Sequence, residues 1–129
     1  MKKGLVLICS LMILFSFSSC RKGKIDNVVI SLGDSQKFSK VEIEAAADCV
    51  LKKFRDFEGC DLQRLWYDEI ETNYYEIDNK KRLVFLSNFH VDASGGDGSF
   101  EPNTDYTDWK WIVIRDNESA EWIVEGWGY

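Results

Sequence analysis

The hydrophobic and polar positions divide the chain into an apolar N-terminal run, one segment of helical period and later segments of alternating period. Between Leu5 and Phe17 almost every residue is apolar. Over residues 39–57 the apolar residues recur three and four apart, which predicts an amphipathic helix. From Leu83 the period changes to two, which is typical of strands. The pattern predicts a domain of the α+β class.

The start of the predicted helix is the best-defined local signal. Ser39 and Glu42 have the spacing of a capping box, and Phe38 with Ile43 can form the accompanying hydrophobic staple. Gly59 supplies a stop signal beyond the end of the helix. The helical spacing places six residues in one apolar stripe that we expect in the core: Ile43, Ala46, Ala47, Val50, Phe54 and Phe57.

The second half of the chain predicts strands. Leu83–Val91 alternates, Trp109–Arg115 is rich in aromatic and β-branched residues, and a four-residue turn leads from it to Glu121–Trp127. The glycine-rich stretch 93–107 is predicted to be a loop, and residues 68–79 a short helix or loop. We expect one long N-terminal amphipathic helix packed on a curved antiparallel sheet that ends in a Trp-rich β-hairpin.

The first twenty residues have the composition of an export signal. Lys2 and Lys3 precede an apolar run too short to span a hydrocarbon core of about 30 Å, which needs about 20 apolar residues. Ser18 and Ser19 then precede Cys20, and the segment resembles a bacterial lipoprotein signal, with Phe17 where Leu is usual. An ordinary secretory peptide and an N-terminal transmembrane anchor are the alternatives.

The resemblance implies that Cys20 is diacylated and becomes the new N-terminus. We expect a signal peptide over 1–19, a lipidated Cys20 and tether over 20–37, and a single domain over 38–129. The protein would be lipid-anchored at the cell membrane on its extracytoplasmic side, with the membrane as a partner, since two acyl chains give stable anchoring. Within the tether, Val28–Leu32 is apolar enough for a short edge strand.

The domain as a whole also resembles a known group. The closing segments Asp108–Asp116 and Glu121–Tyr129, with Phe38–Ile43, Phe54–Glu69 and Ser87–Phe100, look like those of a family of uncharacterised small bacterial lipoproteins. The order of elements is similar to the cystatin-like and nuclear-transport-factor-two-like α+β folds. The resemblance covers about residues 33–129 and implies no activity, because none is assigned to that family.

Composition narrows the classes of function. The chain has 129 residues with 16 Lys and Arg against 22 Asp and Glu, a formal charge of −6, which argues against a nucleic-acid partner. One His and four Cys are too few for most zinc sites, and we expect no cofactor. Cys49 and Cys60 are expected to be separate thiols, with a disulfide as the alternative because export permits one.

The glycine-rich loop raises the question of calcium. Asp92, Asp97 and Glu101 offer the oxygen ligands that calcium prefers. The spacing nevertheless fails the twelve-residue loop pattern, because Asp97 stands where Gly is needed and Asn103 where Glu is needed. We therefore predict no metal site, with these three carboxylates as the calcium alternative.

The remaining candidates point to a binding role. His90, Trp66, Trp109 and Trp111 are predicted ligand or pocket residues, and no catalytic residue is assigned. We expect a non-catalytic binding or interaction module for an unidentified protein or small-molecule partner.

Two alternatives to that role stay open. One is a pocket enzyme in which His90 works with a carboxylate such as Asp92 or Glu69, which requires a closed cavity between helix and sheet. The other is an immunity-type or inhibitor protein, for which the acidic C-terminal half is the argument.

Overall fold

A computed structural model describes residues 22–76, 80–117 and 120–129. The predicted signal peptide and Cys20 lie outside the described residues. The described chain forms five strands and two helices in the order β1 (Val29–Ser31), α1 (Lys40–Phe54), β2 (Cys60–Tyr67), α2 (Glu69–Tyr74), β3 (Lys81–Val91), β4 (Thr104–Arg115) and β5 (Ile123–Gly128).

The five strands form one mixed sheet in the order β1-β2-β3-β4-β5. β1 runs parallel to β2, with Ile30 opposite Leu65, and the other neighbours are antiparallel. The predicted fold class is therefore wrong. The sheet is mixed rather than antiparallel. The described residues contain no long N-terminal helix, because a strand precedes α1 and the two helices have only 15 and 6 residues.

The first helix starts where the sequence predicts. Ser39 accepts a hydrogen bond from the backbone of Glu42, and the Glu42 carboxylate accepts one from the backbone of Ser39, so the capping box is present. The helix ends at Phe54 instead of residue 57. The backbone N–H of Gly23 donates to the carbonyl of Arg55 at 3.1 Å. The N-terminal segment therefore satisfies a carbonyl at the C-terminal end of α1 that has no partner within the helix.

The core lies between α1 and one face of the sheet. Trp111, Phe54, Phe85 and Phe89 are completely buried there, and the rings of Phe54 and Trp111 meet edge to face with their centroids 6.3 Å apart. Large side chains thus occupy the space between helix and sheet. The enzyme alternative requires a closed cavity between helix and sheet, and these side chains lie in that space instead.

The second helix contacts the sheet through β3. Asp68 caps it by accepting a hydrogen bond from the backbone of Glu71 at 2.8 Å. The buried Thr72 hydroxyl accepts from the backbone N–H of Val84 at 3.0 Å, which ties the helix to β3. Neither helix of the described chain is long and apolar enough to cross a bilayer.

The segment predicted to be a tether pairs with the domain. Lys24 bridges to Asp61 in parallel, donating its N–H to the Cys60 carbonyl and accepting from the Leu62 N–H, both at 2.9 Å. Gly23 lies so close to α1 that an added Cβ would stand 2.1 Å from the Phe54 carbonyl oxygen. The chain is therefore held against the domain from Gly23 onward.

Candidate functional site

An aromatic cleft of about 220 Å³ opens beside the end of α1. Its apolar lining consists of Phe57, Phe100 and Trp127, and we call it the aromatic cleft. The Phe57 ring lies 5.7 Å from Phe100 and 6.0 Å from Trp127 between centroids, while Trp127 is 47% exposed. A partly exposed indole ring is therefore packed against the core residue Phe57.

Charged groups surround this aromatic surface. Lys53, in the last turn of α1, places its Nζ atom 5.0 Å from the centroid of the Trp127 ring. The same Nζ is 3.3 Å from a carboxylate oxygen of Asp56. Glu58 and Asp97 complete the charged lining. Three carboxylates and one ammonium give the cleft two net negative charges.

The glycine-rich loop forms one wall of the cleft. Gly96 has a φ of 70°, and a Cβ there would lie 2.9 Å from the Phe100 ring and 3.1 Å from the Glu58 carbonyl oxygen. Only glycine fits this close approach. Hydrogen bonds from the Ser99 hydroxyl and backbone N–H lower the pKa of Asp97, so this carboxylate is ionised at neutral pH.

The only histidine lies in a second cleft, of about 250 Å³. His90 stands opposite Asp61 on β2 and Asp105 on β4, so the three side chains form a row across the sheet. The His90 Nδ1 atom is 2.8 Å from a carboxylate oxygen of Asp105, and the pair is exposed to solvent. The sheet thus pairs His90 with Asp105, whereas the sequence predicts Asp92 or Glu69 as its carboxylate partner.

Neither carboxylate proposed for the enzyme alternative is the partner of His90 in this pair. Glu69 begins α2 beyond the far end of β2, about 20 Å along the strand from Asp61, and accepts from the backbone of Gln36 at 3.2 Å. Asp92 lines the same cleft as His90 but accepts from the backbone of Ser94 at 2.9 Å. The carboxylate that pairs with His90 is that of Asp105.

The nearby thiol is a poor nucleophile. Cys60 also lines the histidine cleft, and burial, helped by the charges of Asp92 and Asp97, raises its pKa to about 12. A thiol with that pKa carries almost no thiolate at neutral pH. Cys49 is also a free thiol, and its Sγ donates to the carbonyl of Trp122 at 3.2 Å.

The three predicted pocket tryptophans have different surroundings. Trp111 is completely buried, and its Nε1 donates to the Ser87 hydroxyl at 2.8 Å, so it belongs to the core. Trp66 is partly exposed, with the guanidinium of Arg64 4.8 Å from its ring centroid. Trp109 packs against the core, and its buried Nε1 has no hydrogen-bond partner among the described residues.

The carboxylates of the calcium alternative are not brought together. Asp97 lines the aromatic cleft, whereas Asp92 lines the histidine cleft. Glu101 lines neither of these clefts, and its backbone N–H donates to the hydroxyl of Tyr106 at 3.0 Å. Within the described ranges, no group of three His, Cys, Asp or Glu side chains is placed to hold a metal ion.

A larger cleft, of about 430 Å³, has a basic lining. Each of its four cations is already in an ion pair with a carboxylate of the chain, at N–O distances of 2.6 to 3.6 Å: Lys37 with Glu76, Lys80 with Asp116, Lys81 with Glu42 and Arg82 with Glu125. Each cation of this lining therefore already contacts a carboxylate of the chain.

The aromatic cleft combines residues from three distant parts of the sequence. The sequence predicts Phe57 as a core residue and predicts no ligand-binding role for Lys53 or Phe100. Two features of the sequence could have indicated this cleft. One is Trp127 on the last strand, and the other is a glycine-rich loop that ends in an aromatic residue. No protein-family model, curated protein or solved structure matches this chain.

Proposed function

We propose that this protein is a lipid-anchored bacterial lipoprotein whose domain binds a small ligand in the aromatic cleft, without catalysing a reaction. One observation supports the binding role above the others: Trp127, which is 47% exposed, lies in a cleft that is also lined by charged residues. Aromatic surface combined with a few placed polar groups is the usual composition of a ligand site.

The anchoring part of the proposal depends on the N-terminal residues. Cys20 follows two serines and an apolar run, and its thiol is the group that would take the lipid. Two acyl chains on this residue would hold the domain at the membrane, whereas a single chain gives only marginal binding. The short distance in sequence from Cys20 to the docked Gly23 suits a domain held close to the bilayer.

The anchoring is tested by replacing the thiol. Cys20→Ser in the native host should stay unacylated and keep residues 1–19, because the lipid can no longer be attached. Intact-mass spectrometry should find the diacylglyceryl addition and the loss of residues 1–19 in the wild type and not in Cys20→Ser. Cys49→Ser is the matched control and should be acylated and shortened like the wild type. A wild-type protein recovered unacylated and at full length would contradict the anchor.

The binding role is tested by NMR on the five tryptophan indole N–H signals. The full chain is titrated with three probe classes: choline as an organic cation, acetate as an anion and glucose as a neutral sugar. At least one class should move the Trp127 signal, which is identified by its loss in Trp127→Leu. If none of the three moves it up to high millimolar concentration, the aromatic cleft is not a binding site for small ligands of these kinds.

A further inference from the structure

We infer that the aromatic cleft binds the ammonium head of a small organic cation, in the position that the side chain of Lys53 now occupies. The inference rests on the proposed binding function and adds to it the class of ligand. It is carried by the charge of the lining and by an ammonium group of the protein itself that already lies against the Trp127 ring.

The charge of the lining selects for cations. The lining of the cleft includes three acidic residues, Asp56, Glu58 and Asp97, and one basic residue, Lys53. The hydrogen bonds from Ser99 that lower the pKa of Asp97 keep its charge in place at neutral pH. The carboxylates would repel an anionic ligand, and a neutral ligand would gain no electrostatic attraction from them. A cation gains from both the charge and the aromatic rings.

Lys53 shows that an ammonium group fits. Its Nζ is 5.0 Å from the Trp127 ring centroid, within the distance at which the ring quadrupole attracts a cation. The same Nζ reaches Asp56 at 3.3 Å, so it is held between an aromatic face and a carboxylate. A ligand cation placed at this point would make both contacts.

Lys53 is also easy to displace. Its side chain is 37% exposed and that of Asp56 is 69% exposed, and ion pairs this open contribute little to stability. A lysine on the rim of the cleft can move its head into solvent while the four-carbon stem stays on the surface. The protein therefore loses little when a ligand takes the site.

The chain offers a matched comparison on another strand. Arg64 lies 4.8 Å from the Trp66 ring centroid, which is also a cation over an indole. Neither residue lines the aromatic cleft. Trp66→Leu therefore removes a similar pair without touching the proposed site, and it serves as the control for Trp127→Leu.

The test follows the indole signals of the full chain, kept in a neutral detergent, during titration with choline. As a neutral isostere, 3,3-dimethyl-1-butanol has the same shape without the charge. Choline should shift the Trp127 signal with a saturable curve, and the alcohol should bind at least about tenfold more weakly, because cation–π attraction is lost. Trp127→Leu should weaken choline binding, followed on backbone amides of the cleft, by a similar factor, and Trp66→Leu should leave it unchanged.

Displacement of the lysine gives an independent readout. Lys53→Met keeps the length of the stem and removes the competing ammonium, so choline affinity should rise about threefold or more. Unchanged thermal midpoints in the variants show that the fold is intact. Weaker choline binding in Lys53→Met would overturn the displacement, and equal binding of choline and the alcohol would overturn the ligand class while leaving the binding function standing. A response to glucose or acetate alone would do the same.

The ammonium could belong to a soluble molecule or to a lipid head group, and a second arm separates these sources. Bicelles that contain phosphatidylethanolamine are compared with bicelles of phosphatidylglycerol, against free ethanolamine in solution. A shift of the Trp127 signal by free ethanolamine supports a soluble ligand, and a shift by phosphatidylethanolamine bicelles alone supports a head group. No response to choline, ethanolamine or the ammonium lipid overturns the inference.

Discussion

At the scale of single residues, close approaches that leave no room for a side chain determine how the N-terminal segment docks. Gly23 lies against the end of α1, where an added Cβ would stand 2.1 Å from the Phe54 carbonyl oxygen and 3.0 Å from that of Phe57. Both atoms belong to the backbone, so neither can swing away. A side chain at Gly23 must therefore push the segment off the helix.

Gly23→Ala should lower the free energy of unfolding by about 1–3 kcal/mol, as overpacking does elsewhere. Chemical denaturation followed by circular dichroism measures it. Gly126→Ala is the control, because a Cβ there meets no atom within 4 Å, and it should change stability by less than about 0.5 kcal/mol. Equal stability of the two variants would show that Gly23 is not docked.

A second residue-scale prediction concerns the one hydrogen bond that satisfies the most deeply buried indole. Ser87 is completely buried and accepts from Trp111 Nε1 at 2.8 Å. Ser87→Ala leaves that N–H without a partner, and the expected loss is about 1–3 kcal/mol of unfolding free energy. Ser99→Ala, at an exposed position, should have a much smaller effect. A stability of Ser87→Ala equal to the wild type would mean that water reaches the indole.

At the scale of elements, α1 is fixed at its start by a carboxylate with two tasks. Glu42 caps the helix through Ser39 and also lies 2.7 Å from the Arg115 guanidinium and 3.6 Å from the Lys81 ammonium. Burial raises the pKa of Glu42, but the hydrogen bonds from Ser39 and the charges of Lys81 and Arg115 outweigh it and lower that pKa below its usual 4.5.

The lowered pKa predicts how stability depends on pH. Because the folded state releases the Glu42 proton more readily than the unfolded state, this contribution is present above pH 4.5 and is lost as the pH falls through the lower folded pKa. Glu42→Gln should be less stable than the wild type at neutral pH, and the difference should shrink as the solution is acidified. Denaturation curves from neutral to acid pH measure it, and a constant difference would contradict the assignment.

A further prediction concerns the element formed by the first described residues. The backbone of Lys24 pairs with Cys60 and Leu62, so the bond between Lys24 and Ile25 should resist trypsin in the folded protein. Limited digestion followed by mass spectrometry should find it cut far more slowly than in a urea-unfolded sample. Gly23→Ala should speed the cut. Cleavage as fast as in urea would restore the free tether that the sequence predicts.

How far the sequence predicts these elements depends on how local their causes are. The capping box of Ser39 and Glu42 is readable because both partners lie within one turn. The pairing of Ile30 with Leu65 joins residues far apart in the chain, and the apolar run around Ile30 is equally consistent with a linker or a strand. The sequence predicts a loop at Asp105 because glycines precede it, yet pairing with β3 extends β4 back to Thr104 and places Asp105 opposite His90.

At the scale of the whole molecule, the docked N-terminus and the aromatic cleft lie at the same end. The Phe57 carbonyl is next to Gly23, and the Phe57 ring lines the cleft. Val41, in the first turn of α1, is about 20 Å away along the helix. A lipid on Cys20 would therefore bring the cleft, rather than the start of α1, close to the head groups.

This arrangement predicts a gradient of paramagnetic relaxation. In bicelles that carry a nitroxide on the lipid head group, the lipidated protein should lose signal intensity at Trp127 and Phe57 before it loses intensity at the backbone amide of Val41. Cys20→Ser protein, which lacks the lipid, should show no such order. Equal broadening of both ends in the lipidated protein would mean that the anchor does not orient the domain.

The packing of Gly23 against α1 limits how the domain would move once Cys20 is acylated. Only Arg21 and Lys22 separate Cys20 from Gly23, and three residue steps of fully extended chain cover about 10 Å. A linker this short would restrict the rotation of the domain above the bilayer. The domain would diffuse laterally with the same side facing the lipids. Any partner would then meet the same exposed surface at every encounter.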